Sequence, residues 1–415
     1  MLDINKIRES RAEVEAALLK RLDKKDLQLD EILAIDDQRR KLLQESENLK
    51  AERNKFSKTK PSPEVIAKMK SVGDQIKKLD DKVREVEAEF KEKLSALPNL
   101  PADDVLAGGK ENNKVLKSFG KKPDFKFTPK DHYQLATDLG IIDYERAVKM
   151  SGTGFWVYRG QGAILEWALL NYFIGFHQKN GYIFMIPPFL LTEESAYTSG
   201  HLPKFRDDLF WTQDKTCLNA TSEMMLGNYH RDEILAIDDL PIKYAAYSTC
   251  FRREAGGYRK EERGMIRGHQ FNKIEMFHYA KPEQSWESFD ELIENASSLV
   301  EGLGLHYQTV QLAAGDASSA MAKTIDVEVW IPSMEIYKEV SSVSNALDYQ
   351  ARRGNIRFKN PETGKNEFVH TLNASGLATS RLFPAILEQF QNEDGSVNIP
   401  KPLQKYCGFK KIEKK

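Results

Sequence analysis

The sequence predicts an α+β protein in two parts. An antiparallel two-helix coiled-coil arm spans about residues 28–97, and a mixed domain of about 300 residues follows it. Three observations carry this reading. Residues 28–97 are nearly free of glycine and aromatic side chains and repeat in sevens. A proline- and glycine-bearing linker, "LPNLPADDVLAGGKENNK" (97–114), ends the repeat. Beyond it, short β-branched and aromatic runs alternate with helical patterns.

In the second half of the arm, Val65, Val72, Leu79 and Val86 recur every seven residues. Met69, Ile76, Val83, Phe90 and Leu97 do the same, four residues out of phase, which completes a coiled-coil seam. The first half is weaker. Ile35, Leu42, Leu49 and Phe56 hold one seam position, but Ile32, Arg39, Ser46 and Arg53 hold the other. "KTKPSP" (58–63) interrupts the pattern, because its prolines cannot continue a helix. Two helices folded back on each other result, each roughly 45–50 Å long at 1.5 Å per residue. The arm holds 16 Lys/Arg and 15 Asp/Glu, yet its turn is basic: Lys50, Arg53, Lys55, Lys58 and Lys60 lie close to it. Such a tip suits phosphates. From this segment alone, a dimerisation or spacer hairpin with a solvated tip fits equally well.

The remainder, with a first domain at 1–105 and a second at 106–415, is predicted to carry strands in "YIFMIPPFLL" (182–191), "DVEVWIP" (326–332) and "FVHTL" (368–372). Helices are predicted at 284–301 and 382–391, and "AILEWALLNYFIGF" (163–176) reads as a buried helix. That run is too short and too polar to cross a membrane. The net charge of −1 gives no global field for nucleic acid. Cys217, Cys250 and Cys407 are far apart, which argues against a zinc site or a disulfide framework and fits a reducing, cytoplasmic setting. Neither GxGxxG nor GxxxxGK[ST] occurs in a strand–helix context, so a Rossmann or P-loop site is not indicated.

The densest chemistry lies in "FRREAGGYRKEERGMIRGHQF" (251–271). The flanking runs predict a hairpin over 245–280, with Arg252 and Glu254 on one face of the first strand and Phe271, Lys273 and Glu275 on one face of the second. Guanidinium forks suit a polyphosphate, and Phe271 offers a surface for a base. The plain alternative is a surface salt-bridge ladder. Glu339 and Ser342, in "KEVSSVSN", are a carboxylate and a hydroxyl that can share a hard divalent ion. "LNASGLATSR" (372–381) places small residues ahead of a helix, with Arg381 near its start.

Taken in order, FRxEAG, RGxxRxHQFxKxE, KExSSxSN and NxSGLAxxR resemble the motifs of seryl-tRNA synthetases, a family of class II aminoacyl-tRNA synthetases. The two-helix arm is a feature of the same family, and "GYIFMIPPFL" (181–190) resembles class II motif 1, a dimer-interface strand. The resemblance covers nearly the whole chain. It implies a bacterial-type class II catalytic domain, an antiparallel sheet flanked by helices. Activity would be ATP-dependent ligation of L-serine to tRNA(Ser) through seryl-adenylate, with tRNA(Sec) as a second acceptor.

The resemblance also implies roles. Arg252 would grip the α-phosphate and the serine carboxylate, with Arg267 on the outer phosphates. Glu254 would accept from the adenine amino group, and Phe271 and Arg381 would cover the two adenine faces. Glu339 and Ser342 would hold Mg²⁺; Arg253, Val340 and Ser341 belong to the same ATP set. Thr221, Ser222 and Glu223, Glu275, Asn373 and Ser375 would bind serine together with Arg252. "TSE" (221–223) matches a strand of the family. Arg252, Glu339 and Arg381 would be the catalytic residues. The arm would embrace the tRNA, reaching it at the other subunit of a homodimer. Arg253 stands where relatives often carry a small residue, and Ala374 where a glycine is common. The rival readings are a ligase that loads an amino acid onto a carrier protein, whose relatives lack the arm, and a non-catalytic tRNA-binding paralogue.

Overall fold

The computed structural model describes residues 1–56, 62–254 and 264–414. The chain forms two compact units, Met1–Pro98 and Asn99–Lys415.

In the first unit, α1 (Leu29–Phe56) and α2 (Pro63–Ala96) run antiparallel. Lys93 pairs with Glu31 at 2.9 Å at one end, and Lys68 with Glu52 at 3.4 Å at the other. Their 28 and 34 residues correspond to about 42 and 51 Å. Helix α2 starts where the sequence permits: Pro63 needs no partner for a missing N–H, and the Ser62 hydroxyl accepts from the Val65 amide at 3.2 Å. Val72, Ile76, Val83 and Val86 of α2 are buried, as are Ile32 and Ile35 of α1. Two of the polar seam positions, Ser46 and Arg39, are paired across the helices. Ser46 Oγ donates to Asp80 Oδ1 at 2.7 Å, and the Arg39 guanidinium lies 5.0 Å over the Phe90 ring. Polar seam positions of this kind fix register at some cost in stability.

The second unit is built on an eight-stranded sheet. Its strands are β1 (Lys114–Phe119), β2 (Ile183–Met185), β3 (Ile242–Phe251), β4 (Gln270–Ala280), β5 (Tyr307–Gln311), β6 (Lys323–Ile331), β7 (Ile336–Leu347) and β8 (His370–Ala378). The order is β1-β5-β6-β7-β8-β4-β3-β2. All neighbours are antiparallel except β2 and β3. Helices α3 (Gln161–Lys179), α4 (Ser285–Gly302) and α5 (Thr379–Gln389) join the main core with Ile274 and Met276, Ile325 and Val327, Val343, and Leu372 and Ala374. Strand alternation then turns Lys273, Glu275, Asp326, Ser342, Ser344, Asn373 and Ser375 to the opposite face. One face of the sheet is therefore apolar and covered, and the other is polar.

Several local expectations change: Arg252 and Glu254 lie past the end of β3, and Val369 separates Asn366–Phe368 from β8 within "FVHTL". "YIFMIPPFLL" is not one strand: β2 stops at Met185, and Leu190–Thr192 pairs in a separate small sheet with Thr216–Leu218. Pro187 and Pro188 lack the N–H groups that a continuous ladder needs. "TSE" is not a strand either. Glu223–Leu226 forms one helical turn, with the Leu226 amide donating to the Ser222 carbonyl at 2.9 Å. Glu-Met-Met-Leu are good helix formers, and Met224 and Met225 bury themselves in a satellite core. Helix α3 buries Leu165, Glu166, Leu169 and Phe173 but leaves Ile164 and Trp167 exposed, so it carries an uncovered apolar edge. Among the described residues, no helix is long and apolar enough to cross a membrane.

Candidate active site

A cavity of about 510 Å³ opens on the polar face of the sheet. A narrower hollow adjoins it and shares Arg252, Glu254, Arg267, Lys273, Glu339 and Ser375 with it. Together they are lined by twelve of the residues singled out from sequence: Thr221, Glu223, Arg252, Glu254, Arg267, Phe271, Glu275, Glu339, Ser342, Asn373, Ser375 and Arg381.

The hairpin of β3 and β4 supplies the first group. Cys250 faces Phe271 and Ala246 faces Glu275 in its register. Beyond β3 the Arg252 amide donates to the His269 carbonyl at 2.9 Å, which holds the two chain segments together past the strand ends. The Arg252 guanidinium lies 5.2 Å over the Phe271 ring. Arg267 Nε sits 2.6 Å from Glu254 Oε2. Residues 255–263 lie outside the described residues.

Strand β7 supplies the second group. Residues three apart on a regular strand point to opposite faces, so Glu339 and Ser342 should diverge. A β-bulge prevents this: Ser341 pairs with Val327 but Glu339 pairs with Glu328, leaving Val340 as the extra residue. Glu339 and Ser342 both reach the cavity as a result. Burial alone pushes the Glu339 carboxyl up, but Arg381 and Arg252 outweigh it and hold it below its usual value. Arg381 Nη1 donates to the Glu339 carbonyl at 2.7 Å and lies 3.2 Å from its Oε2.

The third group forms the enclosed end. Asn373 Nδ2 donates to Glu275 Oε1 at 3.0 Å, while Asn373 Oδ1 is buried with no hydrogen-bond partner among the described residues. Lys273 pairs with Glu275 and donates to Thr221 Oγ1 at 2.6 Å. Glu223 Oε1 accepts from Gln350 Nε2 at 2.7 Å, and burial, then the nearby Glu275, pushes the Glu223 carboxyl up to about 7. The register of the strand holding Ser375 shifts between Ser375 and Ala378, and at Gly376 a Cβ would sit 2.4 Å from His177 Nε2. Only glycine fits that approach.

Four of the singled-out residues do not line the hollow. Ser222 is buried and donates to Ser248 Oγ at 2.7 Å. Val340 is part of the core, and Ser341 is buried with its hydroxyl on the Ser375 carbonyl at 2.6 Å. Arg253 is exposed and reaches the Asp207 carbonyl at 3.3 Å. The methyl of Ala374 faces the core, away from the cavity. In the arm, Lys50 is 2.9 Å from Asp80, Arg53 and Lys55 are exposed, and Lys58 and Lys60 lie outside the described residues.

Sequence reasoning missed Lys273 as a pocket residue, and it missed His201, Gln350 and Asp326. His201 lines the cavity and is held neutral by burial and by Arg252, Lys273 and Arg353, its pKa near 3. Asp326 faces Ser342 across the β6–β7 ladder. Its Oδ1 is buried without a hydrogen-bond partner among the described residues, and burial and Glu339 push the carboxyl well up. The alternation of "DVEVWIP" places Asp326 on the polar face, but nothing local ties it to Ser342.

A carboxylate, a hydroxyl and an orphaned acidic oxygen on one face form a donor set that fits a hard cation. Among the described residues, no cluster of three or more His, Cys, Asp or Glu is placed to hold a metal.

Residues 1–101 match the seryl-tRNA synthetase N-terminal domain, and residues 205–390 match the tRNA synthetase class II core domain (G, H, P, S and T). "Serine--tRNA ligase 2" of Clostridium acetobutylicum is 52% identical over 99% of this chain and 100% of its own length. The chain belongs to the seryl-tRNA synthetase family. The seryl-tRNA synthetase of Pyrococcus horikoshii, solved in complex with ATP, superposes over the full length of both chains with a TM-score of 0.92 at 36% identity. The cytoplasmic serine–tRNA ligase of Naegleria fowleri, solved with AMP, matches at 30% identity and a TM-score of 0.86 over 100% of this chain and 99% of that one. Membership in the seryl-tRNA synthetase family over the whole chain accounts for both units at once, which a carrier-protein ligase without the arm does not.

Proposed function

We propose that this chain ligates L-serine to tRNA(Ser) in two steps, through seryl-adenylate, with ATP as the source of energy. One observation carries the reading. Residues from separate chain segments converge on one polar hollow, with arginines and an aromatic ring at one end and a hydrogen-bonding pocket at the other.

In this reading Phe271 and Arg381 cover the adenine, and Glu254 accepts from its amino group. Arg252 neutralises the α-phosphate and the serine carboxylate, and Arg267 the outer phosphates. Because Arg267 and Glu254 sit 2.6 Å apart, a nucleotide that reaches both is bent back on itself. Mg²⁺ bound by Glu339 and Ser342 would neutralise phosphate charge. The serine carboxylate attacks the α-phosphorus, a P–O bond forms, and the bond to pyrophosphate breaks. The nucleophile is already an anion, so positioning and charge stabilisation suffice without a general base. The terminal ribose hydroxyl of tRNA then attacks the carbonyl carbon, and AMP leaves.

Glu275, Thr221 and Glu223 surround the amino acid, and the unpartnered Asn373 Oδ1 is available to the serine hydroxyl. Alanine would leave that acceptor unsatisfied, a loss worth about 10⁴–10⁵ in discrimination. The arm supplies the tRNA contacts, with its basic tip on the phosphate backbone. A cytoplasmic homodimer completes the reading. Strand β2 ends the sheet, and Ile183, Ile186 and Trp167 beside it are 59%, 69% and 57% exposed.

Pyrophosphate exchange with each of the twenty amino acids tests the first step. Exchange with serine alone is expected; exchange with none would end the enzyme reading and leave a tRNA-binding paralogue.

A further inference from the structure

Glu166 is the one carboxylate buried inside helix α3, and the reaction described above makes no use of it. Its Oε1 accepts from Asn272 Nδ2 at 2.8 Å and from Thr379 Oγ1 at 2.6 Å. Asn272 follows Phe271 on β4. Thr379 opens α5, two residues before Arg381. Thr379 Oγ1 also lies 3.0 Å from the Asn272 carbonyl, so the two segments are stitched to each other as well as to α3. The orientation of the Asn272 amide is fixed from its other side: its Oδ1 accepts from Tyr247 Oη at 3.1 Å and Thr249 Oγ1 at 3.2 Å. Burial raises the Glu166 carboxyl to about 7, a cost that an apolar residue here would avoid. An isolated buried carboxyl that holds two segments of a binding hollow is better explained by geometry than by stability.

We infer that Glu166 is a positioning residue for nucleotide binding, which fixes the spacing of Phe271 and Arg381 through Asn272 and Thr379. The inference rests on the reading of Phe271 and Arg381 as the two covers of the adenine. Base recognition is expected to change more than phosphate recognition: Asn272 and Thr379 sit beside the two adenine covers, whereas Arg267 pairs with Glu254 and Arg252, although it lies over Phe271, is also held by the Ala220 carbonyl.

The test measures AMP and inorganic pyrophosphate binding by calorimetry, and KM for ATP and for serine in exchange, on the full chain. Glu166→Leu removes the acceptor in a similar volume. It is expected to weaken AMP at least tenfold and to raise KM for ATP to match, with pyrophosphate affinity and KM for serine within twofold. Glu166→Gln keeps an acceptor at Oε1 and is expected to restore AMP binding. Thr379→Val, which deletes one of the two bonds, should show the same pattern more weakly and guards against a Glu166→Leu chain that does not fold. Equal losses for AMP, pyrophosphate and serine would overturn the inference in favour of a merely structural role. Unchanged AMP binding in both folded variants would overturn it too. Failure of the unaltered protein to bind AMP would refute the nucleotide site itself, and this inference with it.

Discussion

The two units treat interior polar residues in opposite ways. In the arm, the two polar seam residues away from the turn have partners within the arm: Ser46 on Asp80 and Arg39 over Phe90, with Lys50 also on Asp80. In the second unit, polar residues at alternate strand positions face a hollow, and Asn373 Oδ1 and Asp326 Oδ1 have no hydrogen-bond partner among the described residues. A fully satisfied polar set specifies a register. A partly satisfied one, on a sheet whose other face is a dry core, offers polar groups that a ligand can use. The difference also separates the tasks: the arm is a preformed shape, and the hollow is a preformed set of charges.

The sharpest break of that comparison is at Arg252. Arg252→Gln is expected to lower the rate of serine-dependent pyrophosphate exchange about 10²–10³-fold, the size seen when one preorganised charge-stabilising donor is lost. Its thermal stability should stay near that of the parent, because a 3.4 Å bond to the Ala220 carbonyl is the one hydrogen bond described for its side chain. A similar loss of stability would mean that the residue is architectural.

The next effect is on stability and pH. The folded pKa of Glu166, about 7, stands above the unfolded value of about 4.5. Its contribution is therefore fully present below pH 4.5 and is lost as pH rises through 7. Glu166→Gln removes that dependence. Relative to the parent, its unfolding free energy should climb by about 3 kcal/mol at most between pH 4.5 and 7, since each pKa unit is worth about 1.4 kcal/mol. Parallel pH curves for the two proteins would show that Glu166 is ionised throughout. The smallest effect is in the arm: Ser46→Ala should cost about 1 kcal/mol and leave exchange untouched, because one part-buried hydrogen bond to Asp80 is lost. Denaturant unfolding followed by helical circular dichroism reads it.

Much of this was legible in the residues, for identifiable reasons. The seven-residue period found both arm helices, and Ser62-Pro63 marks the start of the second. The density of arginine around Phe271 points to the hairpin and to one end of the hollow. What stayed hidden depends on register. Glu339 and Ser342 share a face only through the bulge at Val340, and a simple reading of the run took in Val340 and Ser341, which point into the protein. Ser222 was grouped with its neighbours in the same way and instead anchors the turn on Ser248. Alternation places Lys273 and Asp326 on the polar face, but what ties Lys273 to Thr221, Gln350 to Glu223 and Asp326 to Ser342 is contact between distant segments that no local pattern shows. Pro187 and Pro188 were in view, yet the apolar run around them read as one strand.

The most direct measurement compares the two units in one protein. Arg53→Glu with Lys55→Glu reverses two exposed charges near the arm's turn and leaves the second unit unaltered. Serine-dependent pyrophosphate exchange and serylation of tRNA(Ser) should be measured side by side, at low and high salt. Exchange at the parental rate, with KM for tRNA raised about tenfold or more and a shallower salt dependence, is the expected result. Loss of exchange together with serylation, or no change in either, would contradict a division between an arm that holds the tRNA and a hollow that makes the adenylate.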